Sequence, residues 1–230
     1  MEEARRFLRY VIPGLILMLE VSLYLLLSSY QPFVESIKGL GEGIAFPLSA
    51  FLASGGVGFF LAVIYNTLFS IPGMRLLTVN HLPLINDAVN RGWLELRARA
   101  NGGEFNIENL TQLGAWCIVA TFWHERRDSS PRIKGATPRV NLLADIVNAA
   151  GTIFMGSVAA IPIWIFAHYK LTGEFVSTYF YSVPLLVSFL HFAYFQIRVR
   201  ACRNIVDIIM SDVLEEEFSQ RGTPAVINVA

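Results

Sequence analysis

Charged residues are scarce in this chain of 230 residues. Asp, Glu, Lys and Arg together make up 16 % of it, whereas 54 % of the residues are hydrophobic. Soluble domains carry about 25 % charged residues. This shortage of charge argues against an ordinary soluble domain and indicates a protein for which a lipid bilayer provides part of the solvent.

Cysteine and the common catalytic motifs are also nearly absent. The two cysteines, Cys117 and Cys202, belong to no C-x-x-C or His-Cys cluster, so we predict neither a disulfide nor a zinc site. The sequence contains no glycine-rich phosphate loop, no G-x-S-x-G, no H-E-x-x-H and no aspartate array of the CDP-alcohol transferases. We therefore expect no metal and no cofactor, and no ATP-driven transport by this chain alone.

What the chain does contain is four long apolar runs. Each reaches or exceeds the roughly 20 residues that a helix needs to cross a hydrocarbon core of about 30 Å, and only a helix satisfies its backbone hydrogen bonds within such a segment. The first run is longer than the apolar core of about 7–15 residues in a signal peptide, so we interpret it as a retained helix. The sequence thus predicts an all-α integral membrane protein with four transmembrane helices, at about 10–29, 44–69, 142–168 and 176–197.

Basic residues lie almost entirely on one side of these runs. Of the 18 Lys and Arg, only Lys38 and Lys170 fall in the loops after the first and third runs. The others lie in the N-terminus, in the block between the second and third runs, and in the tail from Arg198. The positive-inside rule predicts that both termini and the central block are cytoplasmic, at the plasma (inner) membrane.

This topology divides the chain into two regions that form one integrated unit. The transmembrane bundle comprises residues 1–70 and 142–197. A small helical cytoplasmic layer comprises residues 71–141 and 198–221, and residues 222–230 are predicted to be a loose tail.

The central block is predicted to hold two helices. Apolar residues recur at helical intervals over about Leu84–Ala100 and Ile107–Arg126. A polar loop is expected to follow over residues 128–138, where Pro131 and Pro138 would prevent a continuous helix.

The fourth apolar run is predicted to continue beyond the membrane as a helix. No Gly or Pro occurs from Arg198 to Gln220, and apolar residues recur there at steps of three and four. One apolar stripe on a polar helix needs a packing partner. The sequence leaves two partners open: the helices of the central block, or the same stripe in another copy of the chain.

Glu20 is an acidic residue near the middle of the first predicted membrane helix. A carboxylate at that depth costs at least about 2.5–3.5 kcal/mol on insertion scales, so we expect it to face the bundle interior. Its candidate partner is His191 in the fourth helix. Three hydroxyls are further candidates: Ser22, Ser54 and Ser188. Two interpretations stay open, a proton or ion path or gate, and a protonated side chain whose hydrogen bonds hold helices together.

Small residues cluster in the second and third runs. At a spacing of four they let helix backbones approach closely, either within one chain or between copies. The predicted helix-packing residues are Gly55, Gly56, Gly58, Gly151 and Gly156.

The cytoplasmic region offers three candidate catalytic residues, Arg75, His81 and His124. Arg75 and His81, with five residues between them, resemble the short signature of HEPN ribonucleases, in which such a pair cleaves RNA at a dimer interface. The spacing from His81 to Asp87 is similar to the His-x4-Asp motif of membrane glycerolipid acyltransferases, with one residue more. His124 and Asp128 would share a helix face, but a metal site needs more ligands, so we prefer a charged helix end.

The sequence leaves different classes of function open. The preferred one is a non-enzymatic, homo-oligomeric membrane protein that acts as a channel or membrane effector and is regulated through its cytoplasmic layer by a protein or small ligand. The alternatives are a membrane-anchored enzyme that acts on RNA, nucleotide or lipid through the His81/His124 region, and a structural subunit of a larger membrane complex. The Arg-rich face would attract anionic lipid headgroups, and a nucleic acid partner is not favoured.

Overall fold

The computed structural model describes residues 7–38, 45–70, 80–98 and 105–229. A π-helical turn at Phe7–Val11 opens the described chain, and short 3-10 turns precede α5 and α7. In chain order the elements are α1 (Ile12–Ser28), α2 (Tyr30–Lys38), α3 (Ala45–Ser70), α4 (Leu82–Asn90), β1 (Leu94–Ala98), α5 (Gln112–Arg126), α6 (Pro131–Thr172), α7 (Ser182–Arg221) and β2 (Ala225–Val229).

Among the described residues, three helical segments are long and apolar enough to cross a membrane. They are Arg9–Ser28, which includes α1, Pro131–Thr172, which is α6, and Thr178–Arg221, which includes α7. α3 carries a shorter apolar stretch, Leu52–Leu68. The structure confirms the helical class, with three candidate membrane spans, and adds a small sheet that the sequence did not predict.

The chain forms two compact units. The first unit comprises Met1–Pro72 and Asp145–Arg198, and the second comprises Gly73–Ala144 and Val199–Ala230. α6 and α7 are continuous helices of 42 and 40 residues, and each contributes residues to both units. Two uninterrupted helices therefore belong to both units.

In the first unit, α1 and α3 pack at close range. A Cβ atom on Gly14 would overlap the backbone of Ser54, and one on Gly58 would overlap the backbone of Tyr10. Only residues without a side chain permit this approach. Lipid tails are as apolar as leucine, so close backbone packing of this kind is a main source of stability between helices in a membrane.

α6 begins at Pro131 and continues through Pro138, where the sequence predicts a polar loop. Proline is compatible with the first position of a helix, because the N–H that it lacks has no helical partner there. Pro138 removes one hydrogen bond to the carbonyl of Lys134. Its ring is exposed, so it does not disturb the packed face, and the helix continues across it.

The second unit has its own apolar core. Its side chains come from α4, β1, α5, β2, the beginning of α6 and the end of α7. Burying each side chain of leucine or phenylalanine size contributes about 1.5–3 kcal/mol. The apolar stripe of α7 packs in this core, so its partner lies within the same chain. The largest fully buried side chains of this core are Ile85, Leu94, Phe122, Ile133, Met210 and Leu214.

β1 and β2 form a parallel two-stranded sheet in the second unit. Leu94 lies opposite Ala225, and Leu96 lies opposite Ile227. The sequence predicts a loose tail over residues 222–230, and the structure differs because Ala225 and Ile227 are buried in the core of the unit. Apolar packing and the hydrogen bonds of the sheet together hold this segment in place.

The segment from Leu84 to Ala100, which the sequence predicts as one helix, contains a helix and a strand. α4 ends at Asn90, and Gly92 has a φ of 71°, a left-handed conformation that glycine adopts easily and that often ends helices. From Leu94 onward the side chains alternate between buried and more exposed positions, which is the period of a strand. The prediction extended the helical spacing of α4 across this glycine.

Candidate functional site

The carboxyl group of Glu20, on α1, is engaged by three side chains. Ser157 Oγ on α6 donates to Glu20 Oε1 at 2.8 Å, and the Tyr24 hydroxyl donates to Oε2 at 3.4 Å. His191 Nδ1 on α7 lies 3.2 Å from Glu20 Oε1 and 2.5 Å from Ser157 Oγ. Three helices thus meet at one carboxyl group within the first unit. We call Glu20, Tyr24, Ser157 and His191 the carboxyl cluster.

Ser157 Oγ has three hydrogen-bonding neighbours. Its proton can be donated to Glu20 Oε1 at 2.8 Å or to the backbone carbonyl of Ile153 at 3.2 Å. The direction of its contact with His191 Nδ1 depends on the imidazole tautomer. Glu20, Ser157 and His191 form one continuous hydrogen-bonded chain.

The two ends of this chain differ in exposure. The Glu20 side chain is 8 % exposed, whereas the His191 side chain is 28 % exposed. Within the described residues, His191 Nε2 makes no hydrogen bond. The imidazole is therefore the less buried end of the chain, and the carboxyl group is the buried end.

A second set of polar contacts lies two turns further along α1. Ser28 Oγ accepts a hydrogen bond from Trp164 Nε1 at 3.0 Å and lies 3.2 Å from His168 Nδ1. Glu20, Tyr24 and Ser28 are spaced by four residues and so lie on one face of α1. Tyr24 and Trp164 pack edge to face, with ring centroids 5.7 Å apart. One face of α1 therefore carries a line of polar contacts, with partners on α6.

An ion pair lies towards the beginning of α1. Arg9 donates to Asp145 of α6, whose side chain is 2 % exposed. Arg9 is about 16 Å from Glu20 along the helix axis at the helical rise. Asp145 is not among the site residues predicted from the sequence. The available signal was an ionisable residue inside the third predicted span, which by itself indicates a buried polar site.

Among the hydroxyls considered as partners of Glu20, Ser188 lies one turn before His191 on α7. It is 8 % exposed, and its hydroxyl has no hydrogen-bond partner in the described part of the chain. Ser157, which does bond to Glu20, is not among the predicted partners. Which of these serines reaches the carboxyl group depends on how the helices pack.

The five glycines predicted to pack helices have different surroundings. A Cβ atom on Gly58, Gly151 or Gly156 would lie closer than 3.4 Å to atoms of the same chain. One on Gly55 would meet a side chain at 3.8 Å, and one on Gly56 would meet nothing within 4 Å. Packing within the first unit therefore accounts for three of them, whereas Gly56 is exposed.

In the second unit, His81 lies just before α4 and is buried. Its Nδ1 lies 2.6 Å from Asp207 Oδ1 on α7, and Arg203 Nε lies 3.8 Å from the other oxygen of Asp207. The backbone N–H of Leu82 donates to Asn80 Oδ1 at 3.0 Å. These contacts attach the beginning of α4 to α7.

The other candidate catalytic residues do not join His81. Arg75 lies outside the described residues. His124 is exposed near the end of α5, and it makes no hydrogen bond or ion pair within the described ranges. The described residues contain no group of three or more His, Cys, Asp or Glu side chains that could hold a metal ion.

Arg126, at the end of α5, pairs with Glu217 of α7. Two hydrogen bonds join them, from Nε at 2.9 Å and from Nη2 at 3.3 Å. The hydrogen bond to Glu217 raises the pKa of the Arg126 guanidinium, so its charge is held firmly. Neither side chain is more than 18 % exposed. The pair ties α5 to α7, in addition to the helix-end role predicted from the sequence.

Comparison with known proteins found no matching family model, no matching curated protein and no matching solved structure. The class of protein is defined by the fold and the site alone. It is a helical protein with three candidate membrane spans and a carboxyl cluster inside its first unit.

Proposed function

We propose that the chain crosses the plasma (inner) membrane four times, with both termini and the second unit in the cytoplasm. The fourth span is α3, whose 26 residues extend about 39 Å at the helical rise. This length exceeds the hydrocarbon core of about 30 Å. The distribution of Lys and Arg supports the orientation.

In this membrane the protein acts as a homo-oligomeric channel or membrane effector that is regulated through its second unit. The observation that carries the proposal is the continuity of α6 and α7. They supply Ser157 and His191 to the carboxyl cluster, and Ile133 and Met210 to the core of the second unit. A cytoplasmic protein or small ligand that repacks this core therefore acts on the helices that hold the carboxyl cluster.

An assembly of several copies is part of the proposal. In the single chain the carboxyl cluster is closed by its own hydrogen bonds, and Glu20 is 7 % exposed. A conduit therefore has to form between copies, or by opening of the cluster. Gly56 supports association, because it is exposed on α3 and would let a helix of another copy approach closely.

The test combines size and conduction measurements on purified protein in lipid. We expect mass photometry of nanodiscs to show several copies, and planar bilayers to carry discrete currents or to lose integrity. Met210→Ala, in the buried core of the second unit, should change that activity at unchanged oligomer size. Ile208→Ala, on the exposed side of the same helix, serves as the matched control. Silent bilayers from a verified oligomer, or equal effects of the two variants, would contradict the proposal.

The enzyme alternative is less well supported by the described residues. His81 is 3 % exposed, and its Nδ1 is already hydrogen-bonded to Asp207. His124 is exposed and takes no part in this pair. We therefore assign the His81–Asp207 contact to the packing of the second unit.

A further inference from the structure

We propose that Glu20, Ser157 and His191 form an intramembrane proton-binding site, in which a proton taken up at His191 passes through the Ser157 hydroxyl to Glu20. The inference goes beyond the proposed channel or effector, because a proton can bind here whether or not an oligomer conducts. Ionisable residues within membrane helices commonly serve as proton relays.

The distances allow a relay. Ser157 Oγ lies 2.5 Å from His191 Nδ1 and 2.8 Å from Glu20 Oε1, and both are hydrogen-bonding distances. The imidazolium passes its Nδ1 proton to Ser157 Oγ while the serine passes its own hydroxyl proton to Glu20 Oε1. The carboxylate becomes a neutral carboxylic acid, the imidazolium becomes a neutral imidazole, and the serine is unchanged.

The imidazole is the less buried end of this relay. The His191 side chain is 28 % exposed, and its Nε2 makes no hydrogen bond to a described residue. In the proposal, Nε2 is the atom that takes up the proton. Ser188 lies three residues before His191 and so on the same face of α7. Its buried hydroxyl, without a hydrogen-bond partner in the described ranges, is a further donor and acceptor on that face.

Within the described part of the chain, few other titratable groups lie near this site. On α7, Tyr194 follows His191 by one turn, and its ring packs against the Arg198 guanidinium at 4.8 Å. On α1 the nearest is Tyr24, whose hydroxyl donates to Glu20. α6 contributes Ser157, a hydroxyl that stays protonated. The one titratable residue of α3 is Tyr65, whose ring packs edge-on against Phe195 of α7 at 6.0 Å.

The remaining ionisable groups of the first unit lie further along the helices. The Arg9–Asp145 ion pair is 11 residues from Glu20 at the beginning of α1. His168 contacts Ser28, two turns beyond Glu20 in the other direction. The proposed proton-binding site therefore consists of Glu20, Ser157 and His191.

The test is infrared difference spectroscopy of the full-length protein in lipid nanodiscs, titrated from about pH 4 to about pH 9. A protonated carboxylic acid gives a carbonyl stretching band that a carboxylate does not. We expect a titrating band in the unmodified protein and its loss in Glu20→Gln. Glu35→Gln, which changes an exposed carboxyl group on α2, is the matched control and should keep the band.

Ser157→Ala separates proton binding from a packing role. It leaves both titratable side chains in place, with His191 Nδ1 3.2 Å from Glu20 Oε1, and removes the hydroxyl that bonds to both. We expect the midpoint of the Glu20 band to shift by at least about one pH unit, a tenfold change in proton affinity. An unchanged midpoint in Ser157→Ala, or a Glu20→Gln spectrum equal to that of the unmodified protein, would overturn the proposal. If Glu20→Gln did not give a helical, monodisperse protein, the Ser157→Ala midpoint would decide alone.

Discussion

Replacing Gly58 by alanine tests the close approach of α1 and α3. An added Cβ would overlap the carbonyl of Tyr10 and would lie 3.1 Å from the backbone nitrogen of Gly14. Both obstacles are backbone atoms, which cannot rotate away as a flexible side chain can. The two helices must therefore separate locally, and contacts on both sides of Gly58 are weakened.

The change in the free energy of unfolding caused by Gly58→Ala is the sum of two opposing terms. Overpacking of this kind costs about 1–3 kcal/mol, while alanine is favoured over glycine in a helix by about 1 kcal/mol. Gly56→Ala, on the same helix, gains only the second term, because its Cβ would meet nothing within 4 Å. The difference between the two variants removes the propensity term and isolates the contact, at about 1–3 kcal/mol.

Reversible unfolding in mixed micelles, followed by circular dichroism, measures this difference. We expect Gly58→Ala to be less stable than the unmodified protein, and Gly56→Ala to be equal or slightly more stable. Equal stability of the two variants would refute the close packing of α1 on α3.

Other substitutions and labels test the second unit and the topology. Glu217→Gln removes the charged acceptor of the largely buried Arg126 guanidinium. We expect denaturant unfolding to show that the free energy of unfolding falls by about 1.5–3 kcal/mol. An unchanged free energy would mean that the pair does not form. Ile227→Ala should lower the free energy of unfolding by about 2–5 kcal/mol, because the side chain is in the core. Val226→Ala, at an exposed position of the same strand, should change it little. Equal changes in the two variants would mean that β2 does not pack in this core. A membrane-impermeant maleimide should label the exposed Cys117 and spare the buried Cys202. In sealed vesicles, labelling should occur only when the reagent is on the cytoplasmic face. Labelling from the opposite face would contradict the proposed orientation.

The long helices could be predicted because their signals are local. Length and hydropathy identify an apolar helix from its own residues. The absence of Gly and Pro after Arg198 predicts a helix to Gln220, and α7 ends at Arg221 beside Gly222, whose φ is 64°. Pro138 misled the prediction because the rest of the 42-residue α6 outweighs the lost hydrogen bond and the ring clash that a proline inside a helix causes.

The sheet could not be predicted because its partners are distant in sequence. Each strand has five residues, and a parallel pair leaves no hairpin turn as a local signal. The segment Ala225–Val229 looked like a tail because it follows Gly222 and Pro224 at the end of the chain. Its burial depends on Leu94 and Leu96, which are far away in the sequence.

The carboxyl cluster shows where prediction from sequence stops in a membrane bundle. Counting residues gives the depth of Glu20 and of His191, but it does not give the angle around each axis at which helices pack. Ser157 reaches Glu20 only because α6 lies close to α1. The neighbouring Gly156 lies at this approach, where a Cβ would be 3.3 Å from Leu61 Cδ1 of α3 and 3.7 Å from Leu17 Cβ of α1. A serine side chain is short, so it can reach Glu20 at 2.8 Å only where the two helix backbones are close, and small residues such as Gly156 favour such an approach. The packing glycine and the polar partner of Glu20, which the sequence presents as separate features, are therefore neighbouring parts of one contact.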